Sequence, residues 1–497
     1  MTSDDSDSTG ATREPGTPAA ATALQPDTST KSTAATDFAN DAGVTTLSQA
    51  FRNYVDNVRG GQVGALPAIL GLILLTAIFG TTVHNFLTAG NLANLCVQGA
   101  ATALIAMGLV FVLLLGEIDL SAGTAAGVSA ALMAVTINNH GHAQQALGRG
   151  AYYAVVLFMI AAVYIAYRAR LWYAVGMSAL GLIVLVGGLA GSAPIALFLC
   201  VATGTSIGLV TGWLISRIGI PSFVVTLALF LAWQGVILQF IGEGASLPTR
   251  NFTLIDAIAN RVVPPLYGWI MVVVSLTLYG IVTIGRSVRR RRDNLAAEPM
   301  VVVVGRLAVL TAIGVGMLVL LNAERAPTPE IRSIKGIPYV IPIIIVLLVF
   351  WTMVLGKTAY GRHVYAVGGN AEGARRAGID VPRIRLSVFV ICSSMAAMGG
   401  IVLTSFVGGV QNDLGAGNTL LFSVGAAVIG GTSLFGGRGR VRDAILGGFV
   451  IAMIPNGLQL IPNIKSSFVY IITAFVLLLA ASVDALSRRR AGARGNL

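Results

Sequence analysis

The chain has 497 residues, of which 55% are hydrophobic and only 11% are charged, and its mean hydropathy is +0.80. Because a soluble domain carries roughly 25% charged residues, this composition excludes a soluble multidomain enzyme, a collagen-like chain and a disordered chain. Lysine and arginine outnumber aspartate and glutamate by 33 to 21, an excess that suits nucleic-acid binding or, in a membrane protein, cytoplasmic loops.

Residues 1–60 differ in composition from everything that follows. They are rich in Thr, Ser, Ala, Asp and Pro and contain few large apolar side chains, so they cannot bury enough surface to offset the entropy of ordering. We predict a disordered cytoplasmic N-terminal tail, and its lack of a basic start followed by an apolar stretch argues against a signal peptide. Apolar residues between 45 and 60, such as Phe51 and Tyr54, predict a short amphipathic segment on the membrane surface.

Fourteen apolar runs follow this tail and continue almost to the C-terminus. Crossing the hydrocarbon core of a bilayer takes roughly 20 apolar residues, and these runs are near that length, although several are short or interrupted by Gly. We therefore predict an all-α polytopic membrane protein with about 14 transmembrane helices. The predicted spans lie near 66–84, 97–116, 119–137, 152–168, 171–190, 193–215, 221–241, 269–285, 300–321, 338–356, 386–408, 419–435, 443–461 and 465–486.

The basic residues of the connections predict the topology. If the N-terminus is cytoplasmic, 21 Lys and Arg residues fall in connections on the inner side and 7 on the outer side. Short cytoplasmic loops of membrane proteins carry such an excess, so the net charge needs no nucleic acid to explain it. We predict that both termini are cytoplasmic and that residues 488–497 form a basic C-terminal tail.

No pattern of cysteine, histidine or acidic residues predicts catalysis or metal binding. Cys96, Cys200 and Cys392 lie within apolar runs and read as small packing residues. His140 and His142 have no Cys or carboxylate beside them to complete a metal site. Because no Ser-His-Asp, HExxH or paired-carboxylate pattern falls on plausible helix faces, we predict no catalytic residue, no metal and no cofactor bound by this chain.

Two acidic residues of the motif GEIDLSAG, Glu117 and Asp119, lie between two apolar runs with almost no loop around them. A charge at the bilayer centre costs about 3 kcal/mol on insertion scales, so such groups usually face protein or water. Asp119 or Ser121 could cap the following helix, or Glu117 and Asp119 could border a polar translocation path or gate. Both readings are compatible, and we predict Glu117, Asp119 and Ser121 as pathway residues.

A helix is predicted to begin at Pro221, where the missing N–H of proline is harmless. Further along this run, Gln234 and Gln239 are amides in apolar surroundings. They could donate hydrogen bonds to a polar substrate or join neighbouring helices, and we include Gln234 among the predicted pathway residues.

The longest polar connection on the predicted inner side is residues 357–385. Its centre, from Ala371 to Gly378, predicts a short exposed helix that ends at Gly378 and is followed by Pro382. An ordinary basic loop would explain the charges, but a helix on which a cytoplasmic partner docks explains the length as well, and we favour that interpretation.

The segment GGTSLFGGRGR at 430–440 mimics a phosphate-binding loop, since Gly431 and Gly436 have the required spacing. Gly437 and Arg438 stand where Lys and Ser or Thr belong, and a loop level with the membrane is the wrong context. The segment therefore predicts a glycine-rich break that lets helices pack closely, and the chain has no nucleotide site of its own.

These motifs resemble the permease subunit of ABC-type monosaccharide importers, the ribose/xylose/galactose group, and most of all its D-xylose members. The stretch 303–329 resembles an extra hairpin of the xylose type, whereas 151–191 is not expected there. Ala122 stands where Val is usual, and Phe435 stands where a small residue is usual. The resemblance is carried by four blocks, at 116–123, 220–238, 361–381 and 426–439, and by Asn456-Gly457 after them.

The resemblance runs from about residue 60 to the C-terminus and implies one permease domain over 61–487. Its ten-helix core would be extended by two inserted helix pairs, at 151–191 and 269–321, and would carry a cytoplasmic coupling loop at 357–385. It also implies a homodimer in the bacterial cytoplasmic membrane that imports a monosaccharide, most plausibly D-xylose.

The family further implies an extracytoplasmic sugar-binding protein that delivers the sugar and separate cytoplasmic ATPase subunits that bind ATP and Mg²⁺. By match, the ATPase coupling residues are Glu372, Arg375, Arg376 and Gly378, and Asn456 joins the predicted pathway. Two other classes of membrane protein are alternatives to an importer subunit. An ion-coupled carrier would relay protons through Glu117 and Asp119, and a membrane-embedded enzyme would need a catalytic pair that the sequence does not contain.

Overall fold

The computed structural model describes residues 64–293, 297–326 and 333–493, together with the isolated helical residues Ser48, Arg52 and Val55. Apart from these three residues, the predicted N-terminal tail with its amphipathic segment lies outside the described residues, as do residues 494–497.

Helices make up most of the described chain, which confirms the predicted all-α architecture. The loops between them are short, because the apolar runs follow one another closely in the sequence. In chain order the helices are α1 (Leu66–Thr82), α2 (Ala89–Leu114), α3 (Ala122–Asn138), α4 (Ala143–Arg168), α5 (Trp172–Val186), α6 (Ala193–Trp213), α7 (Ser222–Ile241), α8 (Thr253–Asn260), α9 (Pro265–Arg292), α10 (Met300–Asn322), α11 (Val340–Lys357), α12 (Ala359–Gly369), α13 (Ala371–Arg376), α14 (Val381–Val407), α15 (Asn418–Ile429), α16 (Val441–Gln459) and α17 (Ser466–Ala493).

Fourteen of these helices coincide with the fourteen predicted apolar runs. Within the described residues, nine are long and apolar enough to cross a membrane, and α1, α3, α5, α15 and the first part of α17 are shorter apolar helices. Because α15 has only 12 residues and thus a length of about 18 Å, the number of complete spans stays a prediction.

Several predicted boundaries are wrong, two of them by a turn or more and one by a single residue. Helix α2 begins at Ala89 rather than near 97. Helix α15 ends at Ile429 rather than near 435, since Gly431 takes a positive φ of 103°. Pro221 is the residue before α7 and not its first residue.

Helices α2 and α14 lie at the centre of the bundle. In the most apolar stretch of each helix, 89% of the residues of α2 and 83% of those of α14 are buried. The same fraction is only 11% in α9 and in α10. A helix that is apolar on all sides belongs in a core or in lipid. The central pair is therefore enclosed by protein, whereas α9 and α10 present most of their apolar side chains to the surroundings.

Glycines of α6 bring the backbone of this helix into contact with that of α14. Gly204, Gly208 and Gly212 of α6 follow one another at four-residue spacing and face α14. A Cβ atom on Gly208 would lie only 2.6 Å from the carbonyl oxygen of Phe389. Small residues at this spacing let two helices approach more closely than larger side chains would allow.

The two predicted inserted helix pairs differ in how they attach. The first corresponds to α4 and α5, although α4 already begins at Ala143, and it packs on α6, where the hydroxyl of Ser206 donates to Ser178 (3.0 Å). The second is the hairpin of α9 and α10, whose far end is fixed by Arg325. The guanidinium of Arg325 donates to the carbonyl oxygens of Leu321 (2.7 Å) and Gly336 (2.9 Å).

Connections predicted on the same side of the membrane lie together at one end of the bundle. At the predicted outer end, strand β1 (Ser246–Pro248) pairs antiparallel with β4 (Gly409–Gln411), and β2 (Val262–Val263) pairs antiparallel with β3 (Ile337–Pro338). At the predicted inner end, Arg383 donates to the carbonyl oxygen of Arg170 (2.7 Å). These contacts agree with the predicted alternation, and which end faces the cytoplasm stays a prediction.

Candidate functional site

The connection between α2 and α3 is a partly buried turn that packs on α7. Gly116 takes a φ of 73°, which turns the chain sharply after α2. The N–H of Ile118 donates to the hydroxyl of Ser222 (3.4 Å), and the hydroxyl of Thr226 donates to the carbonyl oxygen of Ile118 (3.3 Å). Two of the sequence motifs, GEIDLSAG and the start of α7, therefore meet in space.

Glu117 forms an ion pair with Arg385, which lies in the first turns of α14. The Nε and Oε1 atoms are 2.9 Å apart, and the two side chains are only 15% and 33% exposed. In the sequence Arg385 is one of the basic residues of the predicted inner loop, and nothing there indicates this partner. The structure places it inside a helix, because the predicted coupling loop 357–385 is largely helical and α14 begins at Val381.

Asp119 is fully buried and holds the start of α3. Its Oδ1 atom accepts hydrogen bonds from the backbone N–H (2.9 Å) and the hydroxyl (2.7 Å) of Ser121. Ser121 is the residue before α3, but its own side chain makes no capping bond. Of the two capping options, the Asp119 carboxylate is thus the group that satisfies the free backbone near the start of this helix.

A second set of contacts links this turn to α12 and to the glycine-rich segment. The N–H of Gly437 donates to the carbonyl oxygen of Leu114 (2.8 Å). Gly368 is packed against the same carbonyl so closely that a Cβ atom would collide with it. A Cβ on Gly436 would lie 2.9 Å from the N atom of Gly116. We call these five residues, Leu114, Gly116, Gly368, Gly436 and Gly437, the glycine junction.

Helix α13 projects from the glycine junction as the predicted short helix. Asn370 caps it, since its Oδ1 accepts from the N–H of Gly373 (2.8 Å), and Gly378 follows its end with a φ of 83°. Ala374 is buried against the bundle. The predicted helix and its glycine terminator are confirmed.

The charged side chains of α13 point away from the bundle. Glu372 pairs with Arg375 (3.3 Å) and with Arg376 (3.4 Å), and the three side chains are 58%, 65% and 79% exposed. Exposed pairs of this kind contribute little to stability. These residues are therefore free to exchange their partners for those of another protein.

The remaining pathway residues lie apart from this region. Asn456 is buried and forms a reciprocal amide pair with Asn91 of α2, with both N–O distances 3.0 Å. It lies 15 residues, or about 22 Å, beyond the start of α16 beside the glycine junction. Gln234 is half-buried on α7, and its side chain makes no hydrogen bond within the described part of the chain. Asn91 was missed, because it precedes the run predicted near 97–116 and nothing around it indicated a partner 365 residues away.

Among the described residues, no group of three or more His, Cys, Asp or Glu side chains is arranged to hold a metal ion. The arrangement offers a buried charged turn, a set of backbone contacts and an exposed helix. These can transmit a displacement, but they include no nucleophile paired with a base.

Residues 91–481 match the family described as the branched-chain amino acid transport system / permease component. The chain is 30% identical to the xylose transport system permease protein of Escherichia coli strain K12 over 427 residues, which is 86% of this chain and 92% of that protein. It is 26% identical to the ribose import permease protein of the same strain over 417 residues, 84% of this chain and 92% of that protein. A probable ABC transporter permease protein of that strain is 40% identical over 156 residues, 31% of this chain and 46% of that protein. No solved structure matches the chain.

Proposed function

Because the chain belongs to this permease family, we propose that it is the transmembrane permease subunit of an ABC importer that carries a monosaccharide, D-xylose, across the bacterial cytoplasmic membrane. The family name refers to branched-chain amino acids, but the two relatives that match most of the chain are named for xylose and ribose. Both are permease subunits of transporters rather than enzymes. The sugar is proposed on the higher identity to the xylose permease and on the hairpin of α9 and α10.

The observation that carries this proposal is the position of α13. It is an exposed charged helix fixed at both ends, and it follows α12, which contacts the turn between α2 and α3 through the glycine junction. A protein that docks on α13 and moves it would therefore displace backbone of α12 that contacts Leu114. Rigid-body switching in transporters needs a continuous connection of this kind.

We propose the partners from membership of the permease family, and the position of α13 supports the docking surface. We propose that Glu372, Arg375, Arg376 and Gly378 form the surface on which cytoplasmic ATPase subunits dock, and that ATP and Mg²⁺ bind to those subunits. A second copy of the chain and an extracytoplasmic sugar-binding protein complete the importer. Both termini and α13 would then face the cytoplasm, in keeping with the 21 to 7 distribution of basic residues.

Within the bundle we propose that Glu117, Asp119 and Ser121 form a gate turn. The ion pair of Glu117 with Arg385 and the hydrogen bonds between Asp119 and Ser121 fix its shape in this state. Gln234 and Asn456 remain proposed pathway residues. For Asn456 the pairing with Asn91 supports a role in joining α2 to α16.

Uptake of labelled D-xylose into proteoliposomes tests the proposal, with the chain reconstituted alone, with the ATPase, and with the ATPase and the binding protein. We expect uptake only from the complete set with ATP, competed by unlabelled xylose more strongly than by ribose, galactose or inositol. Uptake by the chain alone under a pH gradient would overturn the proposal. It would favour instead a carrier in which Glu117 and Asp119 relay protons.

A further inference from the structure

A cavity of about 420 Å³ lies between α15, α16 and α17. It is situated where α16 ends and where α15 and α17 begin, which is the predicted outer end of the bundle. Its volume falls in the range of small-molecule pockets, roughly 300–1,000 Å³. We call it the outer cavity, and its polar lining residues are Asn418, Gln459, Asn463, Ser466 and Tyr470.

These five polar side chains have hydrogen-bonding capacity that the fold does not use. None of them makes a side-chain hydrogen bond or ion pair with another residue in the described part of the chain. Asn418 is half-buried and the other four are exposed, so their hydrogen-bonding groups face solvent and can exchange water for the hydroxyl groups of a polar occupant.

The cavity reaches into the depth of the bundle. Asn418 is the first residue of α15, and the 12 residues of this helix place it about 18 Å from the opposite end. The hydrocarbon core is about 30 Å thick, and polar side chains within it need protein or a water-filled cavity around them. Asn418 is half-buried at the start of this short helix, and we expect it to lie at a level within the membrane.

Two backbone irregularities shape the wall. Pro455 lies inside α16 and has no N–H to donate to the preceding turn. Asn463 takes a φ of 61°, a left-handed conformation that non-glycine residues seldom adopt. Together they open the space between the end of α16 and the start of α17.

The chemistry of the lining selects a neutral polyhydroxyl ligand. No charged residue lines the cavity, so it offers an ion no counter-charge. Each amide both donates and accepts hydrogen bonds, as each sugar hydroxyl does. Phe422 and Tyr470 add aromatic faces, on which the C–H face of a sugar ring can rest.

We propose that the outer cavity is a weak receiving site for a monosaccharide at the outer mouth of the permease. The identity of the sugar rests on the proposed function, whereas the location of the site rests on the cavity itself. A sugar released at the outer end of the bundle would first contact Asn418 and Gln459. It would then pass inward between the helices of the bundle.

Saturation-transfer NMR on the purified chain in lipid nanodiscs, without ATPase or binding protein, tests the site. We expect D-xylose to give a signal with the parent chain, and Asn418→Ala, Gln459→Ala and Tyr470→Phe each to reduce it at least threefold. Gln144→Ala is the matched control, because Gln144 is an exposed amide on α4 at the same end of the bundle and lies outside the cavity. Its signal should equal that of the parent chain.

The outcomes separate this site from the proposed function. If all three cavity variants bind xylose like the parent chain while their thermal unfolding is unchanged, the site is wrong and the importer assignment stands. If the cavity variants lose binding of a different neutral polyol and the parent never binds xylose, the site is supported and the proposed sugar is wrong.

Discussion

The Nε atom of Arg385 lies 2.9 Å from the Oε1 atom of Glu117, and this ion pair joins the first turns of α14 to the turn between α2 and α3. The contact connects one of the two most buried helices of the bundle to the turn that touches α12. Because Glu117 belongs to the turn, the turn cannot move away from α14 unless this ion pair breaks.

Removing one partner of this pair should destabilise the protein. Because both side chains are mostly buried, Glu117→Ala leaves a partly desolvated guanidinium, and we expect a loss of about 1–3 kcal/mol, less than for a fully buried pair. Thermal unfolding in detergent measures it, and the exchanged pair Glu117→Arg with Arg385→Glu should recover part of the loss. Glu372→Ala, which removes an exposed pair, should cost less than about 1 kcal/mol. Equal losses in the two single variants would contradict the prediction.

Reversing a charge on α13 should separate ATP hydrolysis from sugar uptake. Arg375→Glu places an acidic group beside Glu372 on the exposed face that we propose for ATPase docking. We expect xylose uptake by the complete importer to fall at least tenfold, with folding unchanged. Arg149→Glu, the same reversal on an exposed arginine at the other end of the bundle, should leave uptake near the parent level. Normal uptake by Arg375→Glu would show that this face does not dock the ATPase.

A single added methyl group at the contact between α6 and α14 should weaken the bundle. In Gly208→Ala the new Cβ would lie 2.6 Å from backbone atoms of Phe389 and Val390, so the helices must separate, at a cost of about 1–3 kcal/mol. Gly235→Ala on α7 is the control, because nothing lies within 4 Å of its Cβ position. The melting temperature should fall only for Gly208→Ala.

The amide pair of Asn91 and Asn456 should show coupling in a double-mutant cycle. Asn456→Leu leaves the Asn91 amide with one fewer partner, and each single variant should cost about 1–3 kcal/mol. The double variant with Asn91→Leu should cost less than the sum, because both unpaired groups are then absent. Pairing Asn456→Leu with the distant Gln239→Leu should give additive losses. If the first pair is also additive, the two amides do not interact in the membrane.

The loop after α10 should lose order at low pH. The hydroxyl of Ser333 and the backbone N–H groups of Ile334 and Ala326 donate to Glu324 and lower its pKa to about 2. An unfolded glutamate titrates near 4.3. The stabilisation is therefore present above about pH 4.3 and is lost as the pH falls toward 2.

Hydrogen-exchange protection of the Ala326 and Ile334 amides, corrected for the intrinsic rate, measures this effect. Protection should decrease between pH 6 and pH 2.5 in the parent chain. In Glu324→Gln, which cannot titrate, it should be lower and independent of pH. Constant protection in the parent over that range would be inconsistent with the lowered pKa.

Element positions could be predicted from the sequence because the signals for them are local. Each apolar run is continuous, so it indicates a helix without any knowledge of its neighbours. The end of α13 could be placed because Gly378 comes shortly after Arg375 and Arg376 and is followed by Pro382. The boundaries failed where a break has weak local signals, as at Ala89, or where glycines end a helix early, as after Ile429.

The contacts of the candidate site could not be predicted in the same way. Arg385 looks like one more basic residue of an inner loop, and only the folded chain brings it to Glu117, 268 positions earlier. Asn91 and Asn456 are even further apart, by 365 positions, and no local pattern joins them. The outer cavity arises from three helix ends that meet only after folding.

The contact between α6 and α14 restricts where the molecule can change shape. Helices whose backbones touch through Gly204, Gly208 and Gly212 cannot slide or rotate past one another without a collision of main-chain atoms. We therefore expect α6 and α14 to keep the same relative position when the protein changes between outward-open and inward-open states. We expect the hinges to lie elsewhere, in the non-helical turns at both ends of α15 and in the turn where Glu117 pairs with Arg385.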